Sequence, residues 1–374
     1  MSNVDNGTTY TLAGKPTIRM GLGLMGLTAG RDEPVSDQVA FEVIKKSLDA
    51  GANLLNTAMF YGGHSDPLSN LKLLGRFFAQ YPEYRDKAIV SVKGGMIGKF
   101  SECTGDYDHL KKEILVAKDL LQGKEIDIFA PARLPDDRPL EETIANLLKL
   151  QKEGLFRTIG LSEVSHQSLR RAYQLSNGQI SSNEIEVSLQ TLGDAELVET
   201  VRTCSELGIK VIGYSPFGHG FLSGTLKDLS GIGKTDWRNI LPRLSDKDNF
   251  ETNLVLVNEI QELARRQGKE RSMPELILGS LLRFDECIIP LPGSIDPKKA
   301  AQNAKAANTQ LTDEEMKEVM QIVERNPVQG SRYPEVGMGS VVSLSHIFAS
   351  ALTNQVRAIV LDANFMTCFP VRDR

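Results

Sequence analysis

The sequence predicts an α/β protein built as a single (β/α)8 (TIM) barrel, with an N-terminal hairpin and an irregular C-terminal tail. Two observations carry this expectation. Short apolar runs alternate with longer stretches of helical period, eight times along the chain, and that many parallel β/α units close into a ring more often than they lie open. No charged or Ser/Gly-rich linker divides the 374 residues, a length that one such barrel accommodates. One barrel domain is expected over residues 1–335, with 336–374 as a tail of unassigned structure.

A run from Thr8 to Leu12 joins a strand at Thr17 to Gly21 through Gly14, Lys15 and Pro16, as in a hairpin. A helix over Ser36 to Ala50 follows, with Ala40, Val43, Ile44 and Leu48 on one stripe and Gly51 as its stop. Strands are then expected at 53–56, 88–93, 126–130 and 158–162, and helices at 68–80, 109–121, 140–152 and 165–175. Strands at 179–186 and 210–214 flank a helix at 195–207 that Gly208 ends. A glycine-rich insert, Phe217 to about Phe250, delays the next helix to about Asn253. The last strand is 287–290, and Asp296 and Pro297 open the helix after it. The insert and the tail are the expected mobile parts, with Trp237, Leu241 and Arg243 as candidate contacts of a lid.

With 43 Lys+Arg against 48 Asp+Glu the net charge is −5, which speaks against a nucleic-acid or anionic-membrane surface. Four cysteines and five histidines show no metal-ligand spacing. Neither a basic n-region with an apolar run nor 18 consecutive apolar residues occurs, so a cytoplasmic protein with no membrane span is expected.

Gly21, Gly23 and Gly26 satisfy G-x-G-x-x-G after a strand, the dinucleotide fingerprint. Its mechanism needs a helix opening at the third glycine, and here Leu27 to Pro34 reads as loop. The glycines are better explained by backbone passing close beneath a ligand at the barrel mouth.

Chemistry in such a barrel sits at the C-terminal ends of the strands. Those ends carry Asn56 and Tyr61, Lys93, Arg133, Ser162 with Glu163, Glu184 with Glu186, Tyr214 with Ser215, and Gly293 with Ser294. A free phenol titrates near ~10, and an ammonium beside it favours the phenolate and makes a better acid. Tyr61 and Lys93 on neighbouring strands fit a tuned proton donor; either alone reads as a loop aromatic or a solvated charge. Asp296 as N-cap, Pro297 at N1 and Lys298 and Lys299 in the first turn suit a phosphate at the last helix. A capped helix with two solvated lysines fits the same residues. Arg133 fits either a carbonyl or a salt bridge with Asp136 or Asp137.

These strings resemble the aldo-keto reductase superfamily and, within it, the fungal pyridoxal reductases of the pyridoxine 4-dehydrogenase type. The likeness lies in 21–28, 60–62, 91–95, Ala132 with Arg133, 160–163, 214–224 and 288–294, in family order from about 17 to about 335. It implies an NADPH-dependent oxidoreductase acting on a small-molecule carbonyl, without nucleic-acid or membrane partners, as a monomer or weak oligomer. Pyridoxal is the first substrate implied. A 2-oxo acid or another precursor in fungal secondary metabolism is the alternative, with Arg133 gripping a carboxylate. A non-catalytic cofactor-sensing subunit is a third reading.

By position the resemblance makes Tyr61 the proton donor and Lys93 its partner, with Asn56 and Arg133 beside them. Tyr214 falls where an aromatic stacks on the nicotinamide. Ser162, Glu163 and Glu184 fall at the carboxamide site, and Ser215, Phe217, Leu222 and Gly224 on the pyrophosphate segment. Gly293, Ser294, Lys299, Gln302 and Asn303 fall on the segment for the adenosine and its 2′-phosphate. Two departures stand out: Asn56 replaces the family's Asp, and Ala132 its His. Asn56 supplies no counter-charge, so Lys93 is expected to be freer to acidify Tyr61.

Overall fold

A hairpin of two short strands, β1 (Thr11–Leu12) and β2 (Lys15–Pro16), precedes the barrel. Thr11 pairs with Pro16 and Leu12 with Lys15, and Ala13 and Gly14 turn the chain with φ of +50° and +72°. Two left-handed residues in succession suit the right-handed twist of the flanking strands. The return strand is therefore Lys15–Pro16 itself, earlier than the Thr17–Gly21 run expected. The computed structural model describes residues 10–30, 34–63, 66–97, 102–135, 137–233, 236–266 and 271–333. The expected tail, 336–374, lies outside the described residues, as does Asp136.

Eight parallel strands follow: β3 (Gly21–Gly23), β4 (Leu54–Ala58), β5 (Ile89–Gly94), β6 (Ile128–Pro131), β7 (Thr158–Ser162), β8 (Ile180–Glu186), β9 (Lys210–Tyr214) and β10 (Ile288–Leu291). Each pairs with the next in chain order. A bridge between Gly23 and Gly293 and a 3.1 Å bond from the Gly23 amide to the Pro292 carbonyl bring the first strand back to the last. This is the (β/α)8 barrel expected from the sequence. The first barrel strand lies later than Thr17–Gly21, on the glycines themselves. Added Cβ atoms at Gly21 and Gly23 would fall 2.7 Å from Leu291 Cδ1 and 3.5 Å from its carbonyl oxygen. These glycines thus admit β10 and close the ring, and a short 3-10 turn at Met25–Leu27 follows in place of a phosphate-binding helix.

The interior of the barrel is filled by Leu54, Ile89, Ile128, Ile212, Ile289 and Leu291, capped at the N-terminal end by Leu12 and Ala13 of the hairpin. At that end Asp127, fully buried, takes Lys124 at 2.6 Å and Lys15 at 2.9 Å, so the hairpin is tied down by charge as well as by apolar contact. Opposite lies the functional end.

The ring is flanked by α1 (Asp37–Asp49), α2 (Ser69–Gln80), α3 (Tyr107–Leu120), α4 (Leu140–Lys152), α5 (His166–Leu175) and α6 (Ala195–Leu207). The insert after β9 carries 3-10 turns and a one-turn helix α7 (Pro242–Ser245), then two helices, α8 (Lys247–Arg266) and α9 (Met273–Phe284). After β10 come α10 (Pro297–Lys305) and α11 (Asp313–Arg325). Neither α9 nor α11 was expected, although both begin with capping boxes readable in the sequence, Ser272 with Glu275 and Thr312 with Glu315. Among the described residues no helix is long and apolar enough to cross a membrane.

α2 and α3 pack so closely that a Cβ on Gly75 would lie 1.9 Å from the Leu120 carbonyl oxygen. In an open helix Gly→Ala gains ~1 kcal/mol. Here overpacking costs ~1–3 kcal/mol, so we predict that Gly75→Ala lowers stability to urea. A stabilised variant would contradict this packing.

Candidate active site

Strand β8 carries the sequence Ile-Ser-Ser-Asn-Glu-Ile-Glu, nearly all of it buried. Polar residues survive there because alternate side chains enter the barrel, where partners wait. Glu184 and Glu186 share one face, two residues or ~6.6 Å apart. Glu184 meets Lys93 of β5 in a buried ion pair, and its Oε2 accepts a 2.7 Å bond from Asn56 Nδ2. Asn56, from β4, also accepts from Lys93 Nζ at 2.9 Å. Lys93, Glu184 and Asn56 are 4 %, 4 % and 1 % exposed, so the triangle is shut away from water and satisfied within itself.

The expected lack of a counter-charge is corrected here: Glu184 provides the carboxylate that Asn56 cannot. Glu184 was placed by resemblance at the carboxamide site; the structure joins it instead to the Lys93 ammonium. Burial alone would push that ammonium down, but Glu184 and Tyr61 reverse the effect and hold Lys93 above the usual lysine range.

Tyr61 lies over this triangle, with Lys93 Nζ 5.0 Å from its ring centre. Burial raises the Tyr61 phenol above its ordinary value; Lys93 pulls it down, and Glu184 pushes it up again. The expectation of an acidified phenol is therefore overturned for the protein alone: burial and the carboxylate outweigh the ammonium. The phenol keeps its proton through neutral pH, as a proton donor must. Its backbone is fixed by a chain that the sequence did not reveal. Thr57 donates to Asn70 Oδ1 at 2.6 Å, Asn70 Nδ2 donates to Thr28 Oγ1 at 2.6 Å, and Thr28 donates to the Tyr61 carbonyl at 2.7 Å. Asn70, fully buried on α2, was readable only as part of a helix face.

A second charged layer lies nearer the mouth. Glu163 follows β7 with φ of +54° and Ser215 follows β9 with φ of +51°, conformations that cost side-chain-bearing residues ~1 kcal/mol or more and gather at working sites. Glu163 Oε1 accepts from Arg332 Nη2 and from the Tyr214 hydroxyl, both at 2.8 Å. Arg332 also reaches the Tyr214 hydroxyl at 2.7 Å and Glu186 at 2.7 Å. Burial raises the Glu163 carboxyl, but Arg332 and Arg133 more than offset it and hold it below the carboxylate range. Arg332 and Tyr333, beyond the last helix, were missed as site residues, because nothing in their local pattern marks them.

Arg133 follows β6 at the same end. Its Nη1 donates to the Ala132 carbonyl at 2.6 Å, and its charge is felt by Glu163. It does not pair with Asp137, which bonds Arg138 and Thr104 instead. Ala132, where the family has His, is buried on the bonded edge beside β5, its amide donating to the Gly94 carbonyl at 2.9 Å.

The segment after β9 crosses toward the first strand. Trp237 stacks edge-on over His219 at 5.0 Å, and its ring would lie 3.0 Å from a Cβ at Gly30. Leu241 and Arg243 are buried beneath it. His219, whose imidazole burial holds below the usual range, lies 3.0 Å from Ser215 Oγ. Leu222 is fully buried, and its amide donates to the Phe217 carbonyl at 3.0 Å, so it packs the turn. Phe217 packs partly buried against the core, and Gly224, with φ of +71°, closes the turn. Gln190 Nε2 and Arg243 Nη1, buried without hydrogen-bond partners, line one small cavity with Gly218 and His219. Glu186 lines the same cavity, its carboxylate 3.9 Å from Arg243 Nη1, so charge of both signs sits beside this loop. Across the rim, Ser294 Oγ bonds Asp296, which takes the amides of Lys298 and Lys299 at 2.8 and 3.3 Å. The Lys299 and Gln302 side chains are exposed there, and Gly293 and Asn303 lie on the same rim.

A barrel that holds a neutral phenol over a buried ammonium is the frame of a proton-donating oxidoreductase. Residues 19–324 match the Aldo/keto reductase family. The chain belongs to that family and is an NADP-dependent oxidoreductase that reduces carbonyl compounds. It is 34% identical over 321 residues to "Probable pyridoxal reductase 2" of Schizosaccharomyces pombe, covering 84% of this chain and 94% of that protein. Among solved structures it resembles the glycerol dehydrogenase of Gluconobacter oxydans, with a TM-score of 0.70, 24% identity and coverage of 84% and 94%. It also resembles the Bombyx mori aldo-keto reductase in complex with NADP, with a TM-score of 0.60, 21% identity and coverage of 83% and 90%.

Because Glu184 raises the Tyr61 phenol and the Lys93 ammonium alike, Glu184→Gln lowers both. We predict that the alkaline limb of kcat/KM then moves to lower pH. A pH profile with an unmoved alkaline limb would refute the coupling.

Proposed function

We propose that Tyr61 protonates the forming alkoxide while the carbonyl carbon is reduced, and that pyridoxal, giving pyridoxine, is the substrate. The neutral phenol above the Lys93–Glu184 pair is the observation that carries this reading. Bound NADPH supplies the hydride. Lys93 stabilises the phenolate that Tyr61 becomes once its proton has gone to the alkoxide, and Glu184 keeps Lys93 charged so that it can do so. The triangle excludes water, which keeps those charges effective at short range. The likeness to the pyridoxal reductase supports the substrate; the carbonyl chemistry does not depend on it.

For the cofactor, Tyr214 would stack on the nicotinamide, with Ser162 and the Glu163 carboxylate accepting from its carboxamide. Ser215, Phe217 and the turn closed by Gly224 would carry the pyrophosphate. Gly293, Ser294, Lys299, Gln302 and Asn303 would hold the adenosine and its 2′-phosphate. Since Asp296 already takes the first amides of α10, recognition of that phosphate falls to side chains, Lys299 above all.

Two measurements test these assignments. Tyr61→Phe should lower kcat on pyridoxal by about a hundredfold or more; near-native turnover would contradict the proton-donor role. Lys299→Ala should weaken binding of NADPH far more than that of NADH, and an equal loss for both would refute the phosphate assignment.

A further inference from the structure

Arg133, at the barrel mouth, is left with its bonding incomplete. Its Nε is buried with no hydrogen-bond partner, and Nη1 bonds only the carbonyl of its own neighbour, Ala132. Among the described residues no carboxylate lies within ion-pair distance of it; the nearest in influence, Glu163, gives its bonds to Arg332 and Tyr214. Arg332 thus pairs with both Glu163 and Glu186, and Arg133 has neither. A guanidinium nitrogen buried without an acceptor is costly, and a ligand oxyanion reaching this half-buried side chain would relieve that cost.

The position of Arg133 says which ligand. Ala130 pairs with Lys93 across β6 and β5, so Arg133 stands three residues, ~10 Å of strand, above the level of that lysine. Tyr61 follows β4 and Arg133 follows β6, both at the C-terminal end of the ring, so the phenol and the guanidinium open on the same mouth. The loops assigned above to the cofactor phosphates follow β9 and β10, and β6 lies three and four strands away from them in the ring. An anion at Arg133 therefore belongs to the molecule being reduced.

We propose that Arg133 selects carbonyl substrates bearing an oxyanion next to the reacting carbonyl, either the carboxylate of a 2-oxo acid or a phenolate ortho to an aldehyde. The inference rests on the reading of Tyr61 as the proton donor to the same carbonyl. Arg133 is a specificity-determining residue: its planar fork donates to an oxygen pair held coplanar with the carbonyl, which a lysine would meet as a point charge.

NADPH consumption by the wild-type protein over matched pairs tests this: phenylglyoxylate against its methyl ester, and pyridoxal against its 3-O-methyl ether, with benzaldehyde as the oxyanion-free reference. One pair, or both, should show kcat/KM about tenfold to a hundredfold higher for the oxyanion member, and the favoured pair identifies the source of the oxyanion. Arg133→Met should bring that ratio toward one, and Arg133→Lys should restore only part of it. Equal rates within both pairs, with benzaldehyde reduced, would overturn the role of Arg133 and leave Tyr61 untouched. A ratio that survives Arg133→Met would overturn it too. Consumption on none of the five carbonyls would sink the Tyr61 reading and this inference together.

Discussion

The buried pair of Lys93 and Glu184 is the constraint on which the rest depends. Removing two charges from water costs several kcal/mol per ion, and only close pairing with every remaining site filled makes the arrangement tolerable. Asn56 fills those sites, bonding the ammonium with its oxygen and the carboxylate with its nitrogen. An aspartate at 56 would put a second carboxylate against Glu184, leaving one ammonium to balance two anions. The neutral residue and the glutamate are thus two halves of one solution. The three groups come from β4, β5 and β8, so the triangle exists only when the ring has closed.

Closure is secured elsewhere by residues without any chemistry. Gly21 and Gly23 admit Leu291 of β10, and the hairpin with Lys15 seals the opposite end against Asp127. At the mouth, Arg332 ties the segment after α11 to Glu163 and Glu186 on two strand ends. That layer orders Tyr214 and Tyr333 around the cleft and leaves Arg133 short of a partner. The interior therefore has two electrostatic storeys: the closed triangle of Lys93, Glu184 and Asn56, and a layer at the mouth in which Arg133 Nε is buried without a partner.

Much of this was legible in the sequence, and what escaped has physical reasons. The strands and most helices follow from period and stop signals, as at α4 and α6, whose bounds came out unchanged. Tyr61 and Lys93 could be paired because strand order fixes neighbours in a parallel barrel. The first strand was misplaced because glycines carry no apolar period; its residues are chosen for the approach of β10. The direction of the Tyr61 shift was missed because burial, its largest cause, and Glu184, 123 positions away in sequence, act on the phenol only in the closed ring. Arg332 was missed for the same reason: its partners Glu163 and Glu186 lie far away in sequence and meet it only in the folded chain.

The most direct test of the account is to titrate Tyr61 itself. In protein labelled with ¹³Cζ-tyrosine, the Tyr61 resonance is the one absent from Tyr61→Phe. The account predicts that its midpoint lies above that of a free tyrosine (about 10). A phenolate forming between pH 7 and 9 would contradict it.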